Sequence, residues 1–244
     1  MTESECVPGL VVSGDLDPIA HALVRLACDR GWRVALIVAH DEHVEVAEEV
    51  TVLRADGTNA DEIEATFSAV TSLWQSAPDA LVYSAHTSRT RAAVTESSTG
   101  WETVQSQHLR AAFLFAQAGA REMLRLRGGT SVDDGSVVFI SDVSASRGAN
   151  GHSSVSMNAA VAGLEGVTRQ LAAEWGPYGI RVNMLHAGAV DGTPGLPSEL
   201  MHRVPLGRSG RPEELAESCY YLISRSSSYV TGIVLPVDGG FLAT

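Results

Sequence analysis

Four side chains could carry acid–base or nucleophilic chemistry: His108, Asp142, His152 and Ser154. A carboxylate beside a histidine orients the ring as a general base, and such a base activates a hydroxyl. Gathered in one cleft, they would form a working site. Each also has a plainer role. His108 falls on the stripe Val104, His108, Ala111, Phe115, which predicts a buried structural histidine. Asp142, in "FISDVS", reads as a hydrogen-bonded loop carboxylate. The sequence favours polar residues gathered in an abandoned pocket over a new triad.

A second stretch bears on phosphate binding. "SGDLDPIA", residues 13–20, follows a β-branched run and opens a helix. A helix start offers free N–H groups to an anion, and glycines let the backbone approach it. Here only Gly14 is present. Asp17 followed by Pro18 predicts an N-cap and a first helical residue. The cap carboxylate would occupy the donors, and Pro18 has no N–H to give. Asp15 adds like charge beside the same spot. This turn predicts a well-capped helix and no bound cofactor.

The elements around these residues alternate. "GLVVS" ends at Ser13, and a helix runs from about Pro18 to Arg30. "RVALIVA" from Arg33 is an apolar run expected of a strand buried on both faces. "TVLRA" is a short third strand before a helix near Asp61 to Gln75, and "ALVYS" from Ala80 is the fourth. One long helix covers about Gly100 to Arg127, and "GSVVFIS" from Gly135 is the fifth strand. "SSVSMNAAVAGLEGVTRQLAAEW", residues 153–175, is a helix with apolar positions Ala160, Leu164, Val167, Leu171 and Trp175. "GIRVNMLH" from Gly179, a helix at "RPEELAESCYYLIS", and "GIVLPVDGG" close the chain. This order predicts a single-domain, doubly wound parallel α/β sheet with helices on both faces.

Bulk composition narrows the partners. The net charge of -12 disfavours a phosphate backbone, so nucleic acid is not expected. The start, "MTESECVPGL", has neither the basic nor the apolar part of a secretion signal, and no apolar run reaches membrane-spanning length. Cys6, Cys28 and Cys219 have no metal-ligand spacing and read as reduced thiols of a cytoplasmic protein.

Over nearly its whole length the chain resembles the short-chain dehydrogenase/reductase family. "EWGPYGIRVNMLHAGAV" and "VPLGRSGRPEELAESCYYLISRSSSYVTGIVLPVDGG" carry the resemblance most fully, with "DALVYSAH" and "WETVQSQHLRAAFLF" earlier. The resemblance implies a Rossmann-like fold and NAD(P)-dependent hydride transfer by an Asn, a Ser, a Tyr and a Lys. It implies a glycine-rich turn at Ser13, Gly14, Pro18 and Ala20, where only the first glycine remains. It places the adenine-side aspartate at Asp56 and the cofactor-lining turn at Tyr83–His86, including Ala85 and His86. The ribose-reading acid is absent from its place after the second strand, though a slip of register would let Asp41 reach.

The same resemblance fixes the catalytic positions. "NAAVAGL" sets the lysine position at Asn158 and the tyrosine position at Ser154. A one-place shift would put Val155 at the tyrosine position. The serine position is Asp142, since neighbouring Ser141 faces the other way along a strand. The asparagine position is His108, and the nicotinamide-contacting threonine falls at Gly192, with Thr193 beside it. None of the four catalytic residue types is present. The segments that form subunit interfaces in the family are intact.

The reading is therefore a catalytically silent member that binds no cofactor and no metal. It would be a homo-oligomer, or a hetero-oligomer with an active paralogue of hydroxyacyl or ketoacyl dehydrogenase type. Two alternatives stand beside it. One is an atypical NAD(P)-dependent oxidoreductase, or a cofactor-free lyase or isomerase, using His108, Asp142 and Ser154. The other is a ligand sensor on the same fold.

Overall fold

The computed structural model describes residues 7–85, 91–127, 135–143, 154–193 and 201–244. Seven strands form one parallel sheet: β1 Gly9–Gly14, β2 Arg33–Val38, β3 Thr51–Arg54, β4 Ala80–Ser84, β5 Gly135–Asp142, β6 Ile180–Ala187 and β7 Val234–Val237. Their order is β3-β2-β1-β4-β5-β6-β7. The order reverses between β1 and β4. In an open α/β sheet, the crevice outside the strand carboxyl ends at this reversal is where ligands bind. The doubly wound sheet predicted from the strand–helix alternation is the one observed.

Alternating strand residues feed two cores. Val11, Leu81, Val137 and Val182 face α2 (Ala60–Trp74), α4 (Ala111–Leu126) and α5 (Val155–Trp175). Leu10, Val12, Val82 and Val138 face α1 (Pro18–Asp29) and α6 (Pro212–Ile223). With both faces covered, the central strands have no polar side, hence their continuous apolar runs. Helix α4 lies close on the sheet because of Gly119. A Cβ there would stand 2.3 Å from Leu81 Cδ1.

The predicted long helix from Gly100 to Arg127 is divided. α3 (Ser98–Val104) passes through a π-helical segment, Gln105–Arg110, into α4. A π insertion adds a residue to the turn and shifts the helix face beyond it, and such segments are frequent at functional sites. Tyr83 of β4 holds it: the phenol donates to the Gln107 carbonyl at 2.9 Å. No helix among the described residues is long and apolar enough to cross a membrane.

Candidate functional site in the cleft at the strand reversal

A cavity of about 560 Å³ opens at the carboxyl ends of β1 to β4, bounded by the π segment. Gly14 sets its floor. It has φ +92°, and a Cβ would lie 2.0 Å from the Ser84 carbonyl oxygen. Only glycine lets the turn after β1 press against β4, where Asp15 N–H donates to that carbonyl at 2.8 Å. Ser13 gives its hydroxyl to Ile37 O at 2.8 Å, joining β1 to β2.

The far wall is the turn after β3. Asp56 lines the cavity, and its carboxylate accepts the Thr58 N–H and hydroxyl, each at 2.8 Å. Those bonds, with the backbone bond the larger cause, hold its pKa below the ordinary carboxylate value. Ala85 is buried, and its N–H donates to Ile140 O. His86 lies outside the described residues. The acids Asp15, Asp41 and Glu42 also line the space.

At the mouth of α1, Asp17 is the N-cap and Pro18 the first helical residue, as the sequence predicts. Asp17 Oδ1 accepts the Ala20 N–H at 2.8 Å. Gly192, with φ +80°, backs onto the Pro18 ring, and Thr193 donates its hydroxyl to Val190 O at 2.9 Å. The first helical turn is thus packed and capped by its own residues.

Of the four catalytic positions, His108 alone borders this cavity among the described residues. His108 sits in the π segment, buried, and lines the cavity. Asp142 ends β5 and is half-buried, while Ser141 is fully buried on the other side of the strand. Neither Asp142 nor Ser154 borders the cavity, so the described residues do not unite them there with His108. His152 lies outside the described residues.

Ser154 is not a helical residue but the N-cap of α5. Its Oγ accepts Met157 N–H at 3.2 Å and lies 2.9 Å from Ser156 Oγ. Ser156 Oγ donates to Glu96 Oε2 at 2.9 Å, and the Arg91 guanidinium is 3.8 Å from that carboxylate. A hydroxyl has one proton. With its own proton on Glu96, Ser156 offers Ser154 Oγ a lone pair. Asn158 gives its backbone N–H to Ser154 O at 3.1 Å and is half-buried. Val155 is exposed on the first turn.

His186, in "NMLHAGAV", takes the place of no chemical residue of the family pattern. It is buried between β6 and α5, with Nε2 3.8 Å from Glu165 Oε1. Burial pushes its pKa down, against the pull of Glu165 and Asp142. These groups meet only through pairing of β5 with β6 and packing of α5, so no local pattern could reveal them.

A family model described as enoyl-(acyl carrier protein) reductase matches residues 15–242. The 3-oxoacyl-[acyl-carrier-protein] reductase of Chlamydia trachomatis is 34% identical over 168 residues, 66% of this chain and 64% of that protein. The chain thus matches just under two thirds of that relative's length. A Xanthobacter autotrophicus protein named inactive 2-(S)-hydroxypropyl-CoM dehydrogenase 2 is 32% identical over 155 residues, 59% of this chain and 64% of that protein. A solved short-chain type dehydrogenase/reductase from Mycobacterium marinum superposes with TM-score 0.88 at 25% identity, over 97% of this chain and 96% of that one.

The family match overturns the expectation that no cofactor binds. It begins at Asp15, inside the turn whose missing glycines and Asp17–Pro18 cap suggested the loss. The family it identifies works with NAD(P), and the capped turn is not evidence enough against that. From the first turn to the last strand, this chain belongs to the short-chain dehydrogenase/reductase family.

Proposed function

We propose that this chain is a nucleotide-binding member of the family that does not itself perform the usual proton-coupled hydride transfer. It serves as a silent subunit, with copies of itself or with an active relative of hydroxyacyl or ketoacyl dehydrogenase type. The cavity suits the adenosine half of NAD(P): Gly14 gives close backbone approach, and the walls at Asp56 and Ser84 are preformed. Bound NAD(P) would supply a hydride donor or acceptor.

One observation carries the silent reading. At the family's proton-donor position stands Ser154, whose oxygen caps a helix and meets the hydroxyl of Ser156, itself bonded to Glu96. A free serine hydroxyl is a far weaker acid than a tyrosine of pKa about 10. Neutral Asn158 has no charge with which to lower the pKa of a neighbouring acid. The inactive Xanthobacter relative offers a precedent by name for a silent member. The second reading, an atypical oxidoreductase, draws on His108, which the π segment presents to the cavity.

The test is reduction of a 3-ketoacyl thioester with NADH or NADPH by wild type, Ser154→Tyr, and the double variant Ser154→Tyr/Asn158→Lys. No turnover by wild type or Ser154→Tyr is expected, because the new phenol would lack its cation. Turnover by wild type that His108→Ala abolishes would replace the silent reading with the second.

A further inference from the structure

Past β7 the chain folds back over the carboxyl edge of the sheet. Asp238 organises this turn: Oδ1 accepts the Gly240 N–H and Oδ2 the Leu242 N–H, each at 2.8 Å. Gly239 and Gly240, with φ +62° and +91°, let the turn press on the segment after β6. A Cβ at Gly239 would stand 2.7 Å from Val204 Cγ1, and one at Gly240 2.9 Å from Pro205 Cγ. Phe241 is thereby buried at the start of a 3₁₀ turn, Phe241–Ala243. Among the described residues it joins Val143, the residue after β5, and Val204 in a small apolar cluster apart from both sheet cores.

Polar contacts tie the same segments. Leu206 N–H donates to Gly239 O at 3.1 Å. Arg203 Nη2 donates to Thr244 O at 3.2 Å, and the Thr244 hydroxyl to Arg203 O at 3.1 Å. The Arg203 guanidinium stands 5.2 Å from the centre of the Phe241 ring. The base of the turn is anchored to the sheet, where Gly188 N–H donates to Val237 O at 3.0 Å. Residues 201–207 are thus fastened to the end of β5 through Phe241. The fastening is a small cluster with bonds that are exposed at Arg203 and Thr244, and such units open at lower cost than sheet cores.

We propose that residues 238–244 are a latch. Closed, it holds residues 201–207 over Val143, beside Asp142 at the end of β5. It opens as a unit of its own while the sheet stays folded, and so governs how the carboxyl ends of β5 and β6 are reached from the β7 side. The proposal holds whichever ligand the cleft takes.

Val143→Cys places a thiol beneath Phe241, and Cys219, fully buried in the core between the sheet and α6, reports opening of the whole domain. The experiment is alkylation of the full chain by iodoacetamide, read at both positions by mass spectrometry, in Val143→Cys and in Val143→Cys/Phe241→Ala. Labelling at position 143 should be about a hundredfold faster in the second protein, with Cys219 equally slow in both. Amide exchange in wild type and Phe241→Ala should show residues 201–207 and 238–244 losing protection together while β6 keeps its own. Asp238→Asn removes one acceptor from the turn and leaves the apolar cluster; combined with Val143→Cys it should speed labelling about tenfold, and it serves where Phe241→Ala fails to fold. Equal acceleration at position 143 and Cys219 overturns the proposal, because the turn would then open only with the whole domain. An unchanged rate at position 143 also overturns it, as does exchange that rises in 238–244 but not in 201–207.

Discussion

Replacing Ser154 with alanine separates a structural serine from a catalytic one. The substitution removes the N-cap bond to Met157 N–H and the 2.9 Å bond to Ser156. Loss of a serine cap costs about 1 kcal/mol. Loss of the second bond, between side chains 1% or less exposed, costs about 1 kcal/mol more. Ser156 keeps Glu96 as its acceptor, so no larger penalty arises. The sum is about 2 kcal/mol, which for a domain of this size lowers Tm by about 4–8 °C. Ser97→Ala is the control. Ser97 caps α3 through Gly100 N–H but is exposed and bonded once, so about half the loss is expected. The assay is thermal unfolding at fixed protein concentration, since assembly would make Tm depend on it. An unchanged Tm for Ser154→Ala would refute the hydroxyl chain. So would a wild-type ketone reductase activity that the variant loses while remaining as stable as wild type.

Two further perturbations test the first turn and the buried histidine. Changing Asp17→Ser with Pro18→Gly keeps a cap, removes a charge and restores an N–H donor; NADH affinity should rise about fivefold, and an unchanged affinity would mean the turn does not meet the pyrophosphate. His186 has its pKa depressed by burial below its ordinary 6.5 in the folded state, so the unfolded chain takes up the proton first. Its contribution is therefore complete above that value and is lost as pH falls from it toward the folded pKa. His186→Gln should flatten the loss of stability as pH falls below about 6.5, read by urea unfolding, and an equal slope in both proteins would contradict the assignment.

The linear order of residues determined the fold. Apolar runs such as "RVALIV" and the helical stripe of 155–175 are local signals, and each strand predicted from them is present in the sheet. The Asp17–Pro18 cap was equally legible, because a cap depends only on the few residues around it. Its consequence was not. A filled cap at one helix start does not decide whether a cofactor binds across a whole cleft, and the family match corrected that step. Tertiary structure decided the rest. The π segment that turns His108 to the cavity depends on Tyr83 from another strand. Ser154 meets Ser156, whose hydroxyl is held by Glu96, far away in sequence. Glu42 reaches the end of β2 because Arg54 on a neighbouring strand holds the turn closed. These contacts join residues that no periodicity links, so only the folded chain could bring them together.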